Sequence, residues 1–93
     1  MSMAATIEHK LNMALAPVRL EVEDQSHQHA GHAGARAGGE SHFSVLIVAE
    51  IFADISRLAR QRLVNEALQE ELAGSIHALS IRAMTPEEAD KYI

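Results

Sequence analysis

The 93-residue sequence predicts one small α/β (α+β) domain, in which a three-stranded mixed sheet carries helices on one face. Two observations indicate this class. The sequence contains both helical and strand patterns. In some segments apolar residues recur every three or four positions, as in helices, and in shorter segments they alternate or are β-branched, as in strands. The order of these segments is α-β-β-α-β-α, so a helix connects the second strand to the third.

The N-terminal part of the chain predicts a helix followed by a strand. In Thr6–Ala16 the apolar residues follow a helical spacing, with Thr6 as the N-cap and Pro17 as the stop signal. In Val18–Asp24 apolar residues alternate with charged ones, which is typical of a strand with one buried face.

A loop rich in histidine and glycine follows, and we expect it to be flexible over residues 25–41 of a single domain that spans 1–93. The stretch Ser26–Phe43 holds four of the six histidines and four of the five glycines, with no large apolar residue before Phe43. Such a segment cannot build a core. Its imidazoles therefore require another explanation, and ligand binding is the first candidate.

The next elements are a central strand and a long helix. Phe43–Ala49 is a run of apolar residues without polar alternation, which suits a strand buried between neighbours. Ser56–Ala73 has apolar residues every four positions, with Ser56 as the N-cap and Gly74 as the C′ residue.

The C-terminal part predicts a third strand over Ile76–Ala83 and a short last helix. Thr85 is the expected N-cap of that helix, Pro86 occupies its first position, and acidic residues follow in its first turn. A strand, a helix and a strand in succession form a right-handed crossover with parallel strands, while the first two strands pair antiparallel.

This topology brings distant histidines to one edge of the sheet. The loop enters the second strand at His42, and a parallel third strand starts at the same edge, at His77. His29, His32, His42 and His77 can therefore meet. Within the predicted third strand, His77 is in phase with the apolar positions, at the exposed end of that face.

Neutral imidazole is a common ligand for iron, zinc, copper and nickel, and the chain has no Cys. Any metal site must therefore use His and carboxylate ligands, or ligands that a partner supplies. Divalent metal binding by the loop histidines is one hypothesis. The alternatives are a histidine-rich surface loop without a metal and, for His77, a histidine at the strand edge whose hydrogen bonds are satisfied without a metal.

A local basic patch occurs at the start of the long helix, where Arg57, Arg60 and Arg62 lie close together in the sequence. It predicts either a surface for phosphate, nucleic acid or a partner, or a solvated helix face with nearby Glu residues. The formal net charge of −5 argues against a general nucleic-acid binder, because affinity for phosphates comes mostly from Lys and Arg.

Other function classes lack their motifs in this sequence. The chain contains no P-loop, no dinucleotide-binding fingerprint and no nucleophile elbow, so we expect no enzyme. It has neither an apolar run long enough to cross a bilayer nor a signal-peptide pattern, so we expect a cytoplasmic protein without membrane contact.

The chain resembles the BolA family over nearly its whole length. The resemblance rests on four segments in the family's order: LEVEDQSHQHAGH, GGESHFSVLIVAEIF, RQRLVNEALQEEL and SIHALSIRAMTPEE. They are similar to a strand ending in acidic-x-Ser, a variable loop, E-[ST]-H-F, R-H-R-L-V and H-A-L-[SA]-[IL]. Two positions depart from the pattern, because Gln61 replaces the histidine of R-H-R and Asp54 replaces a glycine.

The resemblance implies a fold similar to the type II KH module and a heterodimer with a monothiol glutaredoxin. In such a complex the two proteins share a 2Fe–2S cluster, and the glutaredoxin side supplies its Cys and glutathione. By the same resemblance His77 matches the strand ligand and His29 the loop ligand. His32 is a competing loop ligand, and His42 is a neighbour of the site.

The resemblance therefore implies a non-enzymatic adaptor in iron–sulfur cluster trafficking or iron sensing. The alternative is a nucleic-acid-binding transcriptional regulator, which the KH-like fold suggests, with the arginines at the start of the long helix as its surface. RNA-binding KH modules use a GxxG loop, and this sequence has none outside its histidine loop.

Overall fold

A computed structural model describes residues 2–25 and 42–92 of the chain. In these ranges the elements are α1 (Met3–Leu15), β1 (Arg19–Asp24), β2 (His42–Val48), a 3₁₀ turn (Glu50–Phe52), α2 (Arg57–Ala67), α3 (Gln69–Ala73), β3 (Ala78–Met84) and α4 (Pro86–Tyr92). This is the predicted order, with the long helix divided in two. The loop predicted at 25–41 lies outside the described residues, except for Gln25.

The three strands form one mixed sheet in the order β1-β2-β3. β1 pairs antiparallel with β2, and β2 pairs parallel with β3, as the sequence predicts. The register sets His42 opposite Ala78, at the edge of the sheet where both parallel strands begin. β2 is therefore the central strand, and its first residue lies beside the start of β3.

α1 and α2 cover one face of the sheet and enclose an aliphatic core with two phenylalanines. The most deeply buried side chains come from α1, β2, the 3₁₀ turn and α2–α3: Ile7, Leu11, Phe43, Val45, Ile47, Phe52, Val64 and Leu68. Burial of each such side chain contributes about 1.5–3 kcal/mol. The inner face of β2 supplies three of these residues, and Leu46 and Val48 on its other face are also apolar, so the strand lacks polar alternation.

The first helix begins earlier than its sequence pattern predicts. The Ser2 hydroxyl accepts a hydrogen bond from the Ala5 N–H at 3.1 Å, so Ser2 is the N-cap and the helix starts at Met3. The predicted cap, Thr6, lies inside the helix, and its hydroxyl donates to the Ser2 carbonyl. The helix ends at Leu15 before Ala16, which adopts a left-handed conformation with φ 46°.

The long predicted helix is interrupted at Leu68. Ser56 caps α2 as expected and accepts a hydrogen bond from the Ala59 N–H at 3.1 Å. Leu68 leaves the helical conformation with φ −108° and ψ 20°, and its side chain is completely buried. One non-helical residue barely shifts the apolar spacing, so the sequence pattern does not reveal the break. Gly74 is the C-cap of α3 with φ −126°, and not a left-handed C′ residue.

The third strand begins two residues later than predicted. The Ile76 N–H still donates to the Glu71 carbonyl at the end of α3, at 2.8 Å, and Ile76 is buried. The strand starts at Ala78 and extends to Met84. His77 consequently lies in the bend before β3, so its predicted place inside the strand is wrong, whereas its predicted exposure is confirmed.

An ion pair between Arg60 and Glu88 anchors α4 to α2. The Arg60 guanidinium donates two hydrogen bonds to the Glu88 carboxylate, at 2.6 and 3.2 Å, and a third to the Ala83 carbonyl at 3.2 Å. Glu88 and Thr85 also form a reciprocal capping box, in which each backbone N–H donates to the other side chain. The hydrogen bonds from Arg60 and from the Thr85 N–H lower the pKa of Glu88 to about 2.

Replacement of Glu88→Gln is expected to lower the midpoint of thermal unfolding at pH 7. The pKa of Glu88 falls from 4.5 to about 2 on folding, so the carboxylate stabilises the fold above pH 4.5. This contribution is lost as the pH decreases from 4.5 toward 2. Circular dichroism melts should therefore show a difference between wild type and variant that is largest at neutral pH and narrows below pH 4.5.

The matched control is Glu87→Gln, because Glu87 is exposed and has no ion pair among the described residues. This variant removes only a first-turn charge, so it should melt closer to wild type at pH 7 than Glu88→Gln does. A pH-independent loss in Glu88→Gln would contradict the assignment of the effect to the carboxylate charge.

The turn before α2 contains a backbone position that favours glycine. Asp54 has φ 65°, in the left-handed region, where a Cβ atom crowds the backbone. Asp tolerates this region better than most residues, since its short polar side chain bonds locally. The glycine typical of the BolA pattern at this position therefore has a physical reason, and Asp54 is an acceptable substitute.

Asp54→Gly should leave the free energy of unfolding unchanged or raise it by up to about 1 kcal/mol. Glycine has no Cβ to crowd the backbone at positive φ, and this gain offsets the added entropy of the unfolded chain. Asp54→Val should lower the free energy of unfolding by about 1–2 kcal/mol. Urea unfolding measures both changes. The control is Ala53→Gly, at φ −64°, which should lower the free energy of unfolding by about 0.5–1 kcal/mol. An equal loss in Asp54→Gly would show that position 54 does not favour glycine.

Candidate metal centre

His42 and His77 lie together at the edge of the sheet where β2 and β3 begin. His42 is the first residue of β2, and His77 immediately precedes β3. Their ring centroids are 5.4 Å apart, and the ring planes are inclined by 55°. The parallel pairing of His42 with Ala78 produces this contact across 35 residues of chain. The predicted meeting of these two histidines is therefore confirmed.

The two rings differ in exposure. His77 is exposed in the bend that follows α3, whereas His42 is half-buried at the start of the central strand. Phe43, the residue after His42, is buried in the core and holds this end of β2 in place. The arrangement therefore combines one imidazole on a rigid strand with one that faces solvent and is accessible to a partner.

The histidine-rich loop leaves and re-enters the fold beside this pair. The Gln25 N–H donates to the His42 carbonyl at 2.8 Å, so the residues on either side of the loop are hydrogen-bonded to each other. Both attachment points of residues 26–41 consequently lie next to His42. His29 and His32, the predicted loop ligands, lie outside the described residues.

The separation of the two ring centroids can be compared with that of two imidazoles bound to one metal ion. A nitrogen ligand binds Zn²⁺ at about 2.0–2.1 Å, which sets the centroid of an imidazole ring about 3 Å from the ion. Two rings at tetrahedral positions then have centroids about 5 Å apart, close to the observed 5.4 Å. In residues 2–25 and 42–92 no third His, Asp or Glu completes a cluster. Further ligands would have to come from the loop or from a partner.

The arginines of the predicted basic patch occupy different environments. Arg60 is only 7% exposed and is bound by Glu88, so it stabilises the fold and does not belong to an exposed surface. Arg57 and Arg62 are exposed on α2. The sequence pattern does not reveal that Arg60 pairs with a residue 28 positions away, although the Thr85–Glu88 spacing is a signal for a capping box.

The comparisons with known proteins agree with this fold. The family described as "BolA: BolA-like protein" matches residues 11–88, so the chain belongs to the BolA-like family. The structure of BolA1 from Arabidopsis thaliana superimposes with a TM-score of 0.84 at 46% identity, covering 95% of this chain and 96% of that one. The small α+β fold with its mixed sheet is therefore that of BolA proteins.

Three relatives show the range of names within the family. An uncharacterized protein in the cobS 5′ region of Sinorhizobium is 46% identical over 93 residues, covering 99% of this chain and 100% of that protein. BolA-like protein 1 of Mus musculus is 50% identical over 84 residues, covering 90% of this chain and 58% of that protein. The DNA-binding transcriptional regulator BolA of Vibrio cholerae is 44% identical over 82 residues, covering 88% of this chain and 74% of that protein.

The lengths of the relatives differ widely. This chain spans between 23% and 58% of several of them, including the mouse protein. Across residues 2–25 and 42–92, no helix has the length and apolar character needed to cross a membrane.

Proposed function

We propose that this protein is a non-enzymatic adaptor in iron–sulfur cluster trafficking or iron sensing. It binds a monothiol glutaredoxin as a heterodimer and shares a 2Fe–2S cluster with it through histidine ligands. The glutaredoxin side supplies its Cys together with glutathione. The observation that supports this proposal best is the His42–His77 pair, with centroids 5.4 Å apart, at the base of the histidine-rich loop.

His77 is the proposed ligand from the folded part of the domain. Its exposure in the bend before β3 leaves the ring accessible to a cluster held by a second protein. His42 is the proposed positioning neighbour, since its ring touches that of His77 and its carbonyl accepts the hydrogen bond from Gln25. His29 or His32 is the proposed second ligand, from the loop.

The ligand chemistry suits transfer of a cluster more than storage. The chain has no Cys, so its own ligands to the cluster are neutral imidazoles. Replacement of thiolate by imidazole makes a cluster less electron-rich and raises its reduction potential. Imidazole is also released from a metal on protonation, so the shared cluster should become labile in mild acid.

We propose no catalytic role for this chain, since its sequence carries no P-loop, dinucleotide-binding fingerprint or nucleophile elbow. The cytoplasmic location expected from the sequence stays a prediction. Both His29 and His32 stay candidates for the loop ligand.

The test is a titration of this chain into a cluster-loaded monothiol glutaredoxin, followed by visible circular dichroism. A new spectrum should saturate near one equivalent. His77→Ala should abolish it, and His42→Ala should weaken complex formation about 10–100-fold, as is usual for groups that orient a ligand. The matched control is His9→Ala, because His9 is exposed on α1 and lies outside the proposed site.

Two results would reject the proposal. One is an unchanged spectrum on addition of wild-type chain, and the other is a new spectrum that persists in His77→Ala. Isothermal titration calorimetry with Zn²⁺ alone tests the other metal hypothesis. Tight binding by the isolated chain would identify a divalent metal site on the loop histidines that needs no glutaredoxin.

A second candidate function is DNA binding by a transcriptional regulator. The observation that favours it is the 44% identity to the Vibrio cholerae protein named as a DNA-binding transcriptional regulator. On this chain the exposed Arg57 and Arg62 are the available cations of α2, while Arg60 is bound by Glu88.

If Arg57 and Arg62 contact DNA phosphates, the double variant Arg57→Glu, Arg62→Glu should weaken duplex DNA binding and flatten its salt dependence by about one unit of slope per lost contact. Fluorescence anisotropy at several salt concentrations measures both. Arg19→Glu, on the exposed face of β1, is the control and should bind as wild type does. Unaltered binding in the double variant would exclude these two residues as the DNA surface.

A further inference from the structure

A positively charged cleft runs along β3, away from the histidine pair. It has a volume of about 550 Å³ and lies between α2, β3 and α4. Four cationic side chains line it, Arg57, Arg60, Arg82 and Lys91. The sequence holds eight Lys and Arg in all, with a net charge of −5, so half of its cations gather at one cleft of an acidic protein. We call this region the β3 cleft.

The positive charge of the β3 cleft is largely uncompensated. Glu88 is the one carboxylate in its lining, and the buried Arg60 already binds it. The pKa of Glu88, lowered to about 2 chiefly by Arg60, keeps this pair ionised and neutral overall at physiological pH. Arg57, Arg82 and Lys91 are exposed and have no ion pair among the described residues. Three positive charges therefore face this opening, and one of them, Lys91, also borders the adjoining opening that Glu50, Asp54 and Glu87 line.

The floor of the cleft is the free edge of a β-strand. β3 is the last strand of the described sheet, and four consecutive residues of it, Ile81–Met84, line the cleft. The Ala49 N–H donates to the Met84 carbonyl, so the peptide groups of Met84 turn toward β2. Because these groups alternate along a strand, those of Ile81 and Ala83 turn outward, into the cleft.

Arg60 covers only part of this edge. Its guanidinium binds the outward carbonyl of Ala83 at 3.2 Å, which blocks one acceptor. No backbone hydrogen bond among the described residues uses the outward groups of Ile81. An edge strand with open donors and acceptors is a template for a further strand from another chain. Of the apolar residues in the lining, Ile81 packs against the core and Met84 is buried, whereas Tyr92 is exposed at the rim.

We propose that the β3 cleft is a docking site for an extended acidic peptide segment of a partner protein, which adds as a strand to the edge at Ile81. The backbone of the peptide would pair with the outward groups of Ile81, and its carboxylates would meet Arg57, Arg82 and Lys91. Strand addition supplies affinity through the main chain and specificity through alternate side chains. This inference does not depend on the proposed role of the histidine pair.

The observations favour a peptide over a nucleic acid. A phosphate backbone would use the three cations but not the peptide groups of the strand edge. Single-stranded nucleic acids also need aromatic platforms for their bases, and Tyr92 is the one aromatic side chain that lines the cleft. A short peptide carries few charges, so the net charge of −5 repels it less than a long polyanion.

The test uses the full ¹⁵N-labelled chain and an acetylated, amidated heptapeptide in which Glu alternates with Val or Thr. The amide signals of Ile81 and Ala83 should shift most on titration. The double variant Arg82→Glu, Lys91→Glu should bind the peptide at least tenfold more weakly. Arg19→Glu, a charge reversal on β1 outside the cleft, should change affinity less than twofold. Each variant keeps a dispersed amide spectrum as evidence that it is folded.

Two control probes separate strand addition from charge alone. A peptide of the same sequence with alternate backbone amides methylated should lose at least tenfold in affinity, and a Lys-for-Glu peptide should not bind. Equal binding of the methylated peptide would overturn the proposal. So would identical shifts with inorganic phosphate, which indicate a small-anion site, or shifts with the oligonucleotide dT10 and none with the peptide, which indicate a nucleic-acid surface.

Discussion

The parallel pairing of β2 with β3 is the interaction on which the rest of the structure depends. β2 is hydrogen-bonded on both sides, and its inner face is buried under α1 and α2. A shift of one residue in this register would turn the core residues of β2 outward, so core burial specifies the register strongly. The position of His42 beside His77 follows from that register and not from any direct attraction between the rings.

The same strand pair separates two binding regions by distance. The histidine pair lies where β2 and β3 begin, and the β3 cleft lies toward the end of β3. Four residues along a strand correspond to about 13 Å, which is more than a Debye length at physiological salt. The direct electrostatic influence of one region on the other is therefore largely screened at physiological salt.

Arg60 connects the core to the surface. It packs near the Phe52 ring, with its guanidinium carbon 6.0 Å from the ring centroid, and it binds both the end of β3 and the first turn of α4. Glu88 and the Ala83 carbonyl stabilise a cation in this buried position through the two terminal nitrogens of the guanidinium, while the Arg60 Nε–H has no partner among the described residues. The ion pair consequently holds α4 against the sheet, and α4 in turn brings Lys91 and Tyr92 to the cleft.

The sequence by itself determined the order of the elements, the mixed sheet and the meeting of His42 with His77, because apolar periodicity and the handedness of crossovers are local or general rules. It did not determine the break at Leu68, the late start of β3 or the burial of Arg60. Those depend on which side chains the assembled core encloses and on contacts between residues far apart in the chain. The β3 cleft belongs to the same group, since its cations come from α2, β3 and α4 and only the tertiary structure brings them together.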